Sequence, residues 1–154
     1  MNGECLEYQQ QNTLPKVAVI IVNWNGERFL DRCLSALLAQ TVAPHKIILV
    51  DNASSDMSLE IVRRFPSVRL LAQNENFGFA LGNNLAIKAA ASESEWIALL
   101  NPDAFVEPQW LEELLSAAYD NPGFDLFGSK LVSAFDSTVL DGEGDAYHVS
   151  GRVW

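Results

Sequence analysis

Basic residues are scarce in this chain of 154 residues, with ten Lys and Arg against 20 Asp and Glu, a formal charge of −10. That deficit argues against a nucleic-acid backbone or an anionic membrane as the main partner, because both require a positive surface. A polyanionic ligand would need local help, from a metal or from backbone N–H groups. The two cysteines, Cys5 and Cys33, are too few for a disulfide framework or a structural zinc site, and a reducing, cytosolic compartment is the default. The two histidines, His45 and His148, form no His-x-x-x-His pair. Long apolar runs are also absent. The longest uniform one, Val17 to Val22, is far shorter than the roughly 20 residues of a membrane-spanning helix. The start, Met1-Asn2-Gly3-Glu4-Cys5-Leu6-Glu7, has neither the basic nor the apolar region of a secretory signal.

Several phosphate and acyl-transfer signatures are missing as well. Asn23 to Gly26, after the first apolar run, contains one glycine, so the Gly-x-Gly-x-x-Gly dinucleotide fingerprint fails. No Gly-x-x-x-x-Gly-Lys-[Ser/Thr] loop occurs, and no Gly-x-Ser-x-Gly nucleophile elbow.

What is present is an alternation of short β-branched runs with helical patterns, and its 49% hydrophobic content is enough for one core. Val17 to Val22 reads as a strand buried on both faces. A helix follows, with Phe29, Leu30, Cys33, Leu34, Leu37 and Leu38 on one stripe. Lys46 to Val50 is a second strand. Ser54 or Ser55 can then cap a helix bearing Leu59, Ile61, Val62 and Phe65, which Pro66 ends. Val68 to Ala72 is a third strand, and the Asn/Gly/Phe segment Asn74 to Asn84 leads into an Ala-rich helix reaching about Ala91. Glu95 to Leu100 is a fourth strand. A helix from 108 to about Tyr119 starts with Pro108 in its first turn, and Phe124 to Phe135 reads as one or two further strands. Such alternation predicts an α/β fold, a mostly parallel sheet with right-handed crossovers and helices on both faces.

The loops expected at one edge of this sheet are polar or glycine-rich: Asn23 to Gly26, Asp51 to Asp56, Asn74 to Asn84, and Asn101-Pro102-Asp103. Each has a structural reading as a turn, an Asx-turn or a glycine allowing close contact. Their convergence is what a binding crevice at the carboxyl ends of parallel strands requires. Pro102 stops the fourth strand and holds Asp103 out of the sheet, where it can meet a hard cation shared with substrate phosphates.

Four ordered motifs over about residues 16–135 resemble the inverting glycosyltransferases of family 2, which use the GT-A fold. They are Val-Ile-Ile-Val-Asn-Trp-Asn-Gly, Leu-Val-Asp-Asn-Ala-Ser-Ser-Asp, Asn-x-Asn-x-Gly-Phe-Ala-x-Gly-Asn-Asn and Leu-Leu-Asn-Pro-Asp. The wording is similar to bacterial rhamnosyltransferases of cell-envelope polysaccharide assembly. The resemblance implies a three-layer α/β/α GT-A fold and a UDP- or dTDP-linked sugar donor. It implies a glycan or lipid-linked acceptor, and peripheral association of the full-length enzyme with the inner face of the membrane. It places the base near Val22, Asn23, Trp24 and Asn25, and sets Asp51 and Asn52 at the base or ribose. Asn76, Gly78, Gly82 and Asn83 shape the nucleotide and sugar pocket, and Asn101 and Asp103 occupy the place of an Asp-x-Asp metal motif for Mg²⁺ or Mn²⁺. Asn101 stands where Asp is frequent, so Asp103 carries the direct metal contact. Residues 1–15 then read as a flexible extension, 16–135 as the nucleotide-sugar-binding domain, and 136–154 as an incomplete start of the acceptor-side region, as if cut inside a domain.

An inverting transfer needs a general base. The resemblance puts it beyond this region, and Asp141, Glu143 and Asp145 lie in a Gly-rich stretch ahead of that place. A non-catalytic α/β binding module of the same fold is the competing reading, and a nucleotidyltransferase is more distant because its Gly-rich basic first loop is missing.

Overall fold

The computed structural model of the chain describes residues 14–133 and 138–142. Backbone packing divides the chain into two compact units, Met1–Leu111 and Glu112–Trp154. The first contains strands β1 (Val17–Asn23), β2 (Lys46–Asp51), β3 (Val68–Ala72) and β4 (Trp96–Leu100), and helices α1 (Glu27–Leu38), α2 (Ser58–Arg63) and α3 (Gly78–Ala90). Helix α4 (Trp110–Asp120) begins at the boundary.

The strands form one parallel sheet in the order β3-β2-β1-β4. All seven residues of β1 are buried, as an unbroken β-branched run in the centre of a parallel sheet demands. Register pairs Asn23 with Asp51, Asp51 with Ala72 and Ile21 with Leu100, so the carboxyl ends of the strands lie along one edge. The chain moves outward from β1 through β2 to β3, then returns across the sheet to β4. Right-handed crossovers therefore send α1 and α2 to one face and α3 to the other. On the α3 face, Ala18, Ile20, Val22, Ile48 and Val50 pack with Ala86 and Ala90, whose small side chains bring the helix close. On the opposite face, α1 buries Leu30, Cys33, Leu34 and Leu37. Each such leucine contributes about 1.5–3 kcal/mol through the apolar area it removes from water.

Three helices start at residues other than the sequence reading gives. Helix α2 begins at Ser58, and its first turn is supported by Asp56, whose Oδ1 accepts from Ser58 N–H at 3.0 Å. Ser54 and Ser55 do not cap it, because both are turned toward the β1 loop. Helix α3 begins at Gly78, so Gly82 and Asn83 belong to a helix rather than to the loop before it. Pro108 precedes α4 rather than sitting in its first turn.

In the second unit, Leu131–Val132 forms strand β5, antiparallel to β6 (Leu140–Gly142). Residues 124–130 make no strand. Gly123 precedes them and Gly128 interrupts them, and Phe124 and Leu126 are 66% and 90% exposed, so these two side chains gain little from packing.

Candidate functional site

The ends of β1 and β2 are joined by a buried polar network. Asn23 is fully buried, and its Nδ2 donates to Asp51 Oδ1 at 2.9 Å and to Ser54 Oγ at 3.2 Å. Ser54 returns to the same carboxylate, its N–H on Oδ2 at 2.9 Å and its hydroxyl on Oδ1 at 2.7 Å. Asp51 is 1% exposed, so these three donors are what permits a carboxylate there.

The same segment supplies the missing caps of α1. Gly26 N–H donates to Ser58 Oγ at 3.1 Å, and Glu27 N–H to Asp56 Oδ2 at 2.9 Å. Burial pushes the Asp56 carboxyl up, but hydrogen bonds from the Ser58 side chain and from backbone N–H groups of Glu27, Ser58 and Asp56 itself outweigh it and hold the group below its usual range. In return, Glu27 Oε2 accepts from Met57 N–H and Asn25 Oδ1 from Ser55 N–H. Asn25 and Ala53 adopt positive φ, 52° and 58°, one on each of these loops. Asn tolerates that conformation, whereas Ala stores strain there. Gly26 is obligatory, since a Cβ would overlap Asn23 Oδ1.

Helix α3 closes the next side. Asn52, 2% exposed, donates from Nδ2 to the Gly78 carbonyl at 3.1 Å. Asn76 Oδ1 accepts from Gly78 N–H at 2.8 Å, and Gly78 takes φ 80°, which its missing Cβ allows. Gly82 faces Val22 so closely that a Cβ would stand 2.8 Å from Val22 Cγ1. Asn83 is buried and donates back along the helix to the Phe79 carbonyl at 3.0 Å. Among the described residues, Asn23 Oδ1 and Asn52 Oδ1 are buried without a donor, leaving unmet hydrogen-bonding capacity at this edge.

The turn after β4 is different. Asn101 and Asp103 are exposed, and the Asp103 carboxylate forms no ion pair among the described residues. Pro102 lies beside Gly26, which places this turn next to the β1 loop. From α1, Cys33 Sγ approaches the Asn101 carbonyl at 3.7 Å. Burial first, and then the negative charge of Asp103, push the Cys33 thiol up to about 12.

The expected site residues thus gather at one edge but fall into two kinds. Asn23, Asp51, Asn52 and Asn83 are buried and bonded within the protein, whereas Trp24 (59% exposed), Asn25, Asn76, Gly78, Asn101 and Asp103 present exposed groups. Val22 and Gly82 are the contact between β1 and α3. Sequence reasoning missed Gly26, Ser54, Asp56 and Ser58 as the cement between loops. The Asp-x-x-Ser spacing of Asp51 and Ser54 is the local signal that could have found one of them. Of the base candidates, Glu143 and Asp145 lie outside the described residues, and so does the side chain of Asp141.

Among the described residues no group of three His, Cys, Asp or Glu side chains could hold a metal by itself. An unpaired, exposed Asp103 fits a different donor set, one protein carboxylate with the rest of the shell from water and substrate phosphates, which Mg²⁺ favours. No helix among these residues is long and apolar enough to cross a membrane.

A chain folded this way has known counterparts. It is 30% identical to the N-acetylglucosaminyl-diphospho-decaprenol L-rhamnosyltransferase of Mycobacterium tuberculosis, over 84% of this chain and 43% of that protein. Its fold matches the crystal structure of S. aureus TarS 1–349 in complex with UDP-GlcNAc, with TM-score 0.64, 22% identity, and 70% of this chain and 32% of that one covered. It also matches the mannosyltransferase PcManGT from Pyrobaculum calidifontis in complex with GDP-Man and Mn²⁺, with TM-score 0.59, 25% identity, and the same 70% and 32%. The chain spans less than half the length of the curated relatives it matches. Residues 18–149 match the pattern described as Glycosyl transferase family 2. With its parallel GT-A sheet and its polar loops collected at one edge, the chain belongs to glycosyl transferase family 2.

Proposed function

We propose that this chain is the donor-binding part of an inverting glycosyltransferase that takes a sugar from a UDP- or dTDP-linked donor and delivers it to a glycan or lipid-linked acceptor in cell-envelope polysaccharide synthesis. The observation that carries this reading is the division of the sheet edge into a buried supporting network and an exposed carboxylate at Asp103 beside it. The UDP-GlcNAc bound by one structural neighbour, the GDP-Man and Mn²⁺ bound by another, and the rhamnosyl transfer of one relative agree with it.

In this reading the base lies against Trp24 and Asn25, the diphosphate near Asn76 and Gly78, and the sugar toward Asn101 and Asp103. Asp51 acts chiefly as a positioning residue, because its carboxylate is occupied by Asn23 and Ser54 and only one acceptor direction on Oδ2 is left for a ligand. Asn101 contributes a neutral hydrogen bond. A Mg²⁺ or Mn²⁺ ion held by Asp103 would supply positive charge where the departing diphosphate becomes more negative. In this reading the general base belongs to a segment after the donor-binding region and is not supplied by this chain. The 154-residue chain is therefore expected to bind donor and at most to release its sugar slowly to water, since loss of the base alone removes about 10²–10⁴-fold in rate.

Calorimetric titration with UDP and dTDP, with and without Mn²⁺, tests the reading. Binding that strengthens with Mn²⁺ supports it. No nucleotide binding in either condition overturns it in favour of a non-catalytic module that kept the fold, the reading to which the neutral Asn101 in the metal motif lends support.

A further inference from the structure

A ladder of cations and aromatic rings flanks the Asn101–Asp103 turn on its α1 side. The Phe105 ring, two residues beyond Asp103, lies 6.4 Å from that of Phe29 at an interplanar angle of 50°. The Arg32 guanidinium sits 3.9 Å from the Phe105 centroid, and that of Arg28 lies 6.0 Å from the Phe29 centroid. Cys33, the next residue after Arg32, contacts the Asn101 carbonyl, so this helix face and the exposed carboxylate turn are neighbours.

Packing alone does not account for the charges. Arg28 and Arg32 are an i,i+4 pair of like sign on one exposed helix face, an arrangement that is mutually repulsive. Neither has a carboxylate partner among the described residues. Asp31, which lies between them in sequence, pairs with Arg64 at 2.9 Å, and Glu27 is engaged by the Met57 N–H at 2.9 Å. A chain with twice as many acidic as basic residues could readily have neutralised this pair. Leaving it uncompensated beside the site creates a local positive potential that a bound anion would relieve. At 3.9 Å the Phe105 ring restrains the plane of the Arg32 guanidinium while its N–H edge stays free for a two-pronged contact, which suits phosphate, and Arg28 adds a second positive charge.

We infer that Arg28, Phe29, Arg32 and Phe105 form a phosphate-binding subsite for a phosphate-linked acceptor, beside the donor site. This rests on the proposed glycosyl transfer, and it adds a phosphate to the acceptor's chemistry. The net charge of −10 favours a compact phosphate over an extended anionic membrane, because a broad surface approaching within the Debye length of about 8 Å meets the acidic remainder of the protein. A single phosphate can meet the two arginines while covering little of that remainder.

The test measures binding of geranyl diphosphate, below its aggregation concentration and in EDTA, to the 154-residue chain and to its Arg28→Gln/Arg32→Gln variant. Inorganic pyrophosphate and phosphatidylglycerol vesicles are run beside it, with UDP and dTDP plus Mn²⁺ in separate titrations. The unaltered chain should bind geranyl diphosphate without metal and more weakly as salt rises. The double variant should bind it about ten- to a hundredfold more weakly, with a comparable loss for pyrophosphate and unchanged nucleotide binding. Lysine at both positions should restore part of the affinity, since charge returns without the fork. Equal binding by both proteins overturns the subsite, as does a double variant that loses only thermal stability. Arginine-dependent binding to vesicles without binding to the soluble diphosphates overturns it in favour of a membrane surface. Absence of UDP and dTDP binding alongside arginine-dependent geranyl diphosphate binding overturns the donor reading and leaves the phosphate subsite standing.

Discussion

The loops after β1 and β2 and the turn after β4 lie at the same sheet edge, yet they spend their polar groups in opposite ways. In the first pair, Asn23, Asp51, Ser54 and Ser58 are directed at one another or at backbone N–H groups, and Asn23, Asp51 and Ser58 are buried. In the second, Asn101 and Asp103 face solvent, with the Asp103 charge unpaired among the described residues. Carboxylates of identical chemistry therefore have different work. Asp51 has become part of the frame, and Asp103 is free to meet something from outside. The difference arises from the donors within reach, not from the residue type.

The contrast breaks most visibly at Asp103. Replacing Asp103 with Ala should remove the Mn²⁺-dependent part of nucleotide binding, a loss of about 100-fold or more, roughly 3 kcal/mol, while the melting temperature stays within about 0.5 kcal/mol equivalent, as for an exposed substitution. Asn101→Ala should cost about fivefold, the worth of one neutral hydrogen bond near 1 kcal/mol. Equal losses from both, or no loss from Asp103→Ala, would remove Asp103 from the metal.

The counterpart in the buried network is Asp51→Ala. It removes one of the two acceptors of the Asn23 amide and the acceptor of both Ser54 donors, so the expected loss is about 3 kcal/mol, a melting shift of roughly 6–12 °C. Thermal unfolding and UDP or dTDP affinity should be measured on the same preparation. A shift under about 1 kcal/mol with strongly weakened affinity would return Asp51 to direct contact with base or ribose.

Gly82 sharpens the comparison from the α3 side. In a helix interior, Gly→Ala gains about 0.5–1 kcal/mol from reduced backbone freedom. Here the new Cβ would stand 2.8 and 3.1 Å from the two Val22 methyls at the end of β1. Overpacking costs about 1–3 kcal/mol, so the clash wins and Gly82→Ala should destabilise by about 1 kcal/mol, with nucleotide affinity falling as α3 is pushed away from β1. A stabilised variant with unchanged affinity would show that this contact yields easily.

The strands were legible because β1 and β2 are apolar without interruption, a pattern that only a sheet covered on both faces rewards. The positions of the four loops followed from the strands. What could not be read locally is where side chains separated by about thirty positions meet. Asp51 looks like a ligand residue in sequence, and its burial depends on Asn23 reaching it across the strand pair. Ser54 and Ser55 look like caps of the following helix until the β1 loop claims them. The start of α3 was hidden by Gly78, whose φ of 80° belongs to a turn although the helix begins with it. Phe124 to Lys130 has strand-like composition without the pairing that would make it a strand.

Cys33 links the two regions and gives the smallest effect. Burial, helped by Asp103, raises its thiol from 9.0 to about 12. Below pH 9 the folded and unfolded chains both keep the proton, and stability is unaffected. Above it the unfolded chain releases the proton while the folded one holds it, so stability falls as pH rises toward about 12. The ideal slope is about 1.4 kcal/mol per pH unit once the unfolded thiol is fully ionised, and because that thiol is only half ionised at pH 9 the loss between pH 9 and 10 is about 1 kcal/mol. Urea unfolding at these two pH values should show the unaltered chain losing that much more than Cys33→Ala, in which lysine and tyrosine titration remains but the thiol is gone. Asp103→Asn should trim the loss only slightly, because burial is the larger cause. Equal pH dependence in the unaltered chain and Cys33→Ala would mean that water reaches the thiol, and that α1 is not sealed against the Asn101 turn.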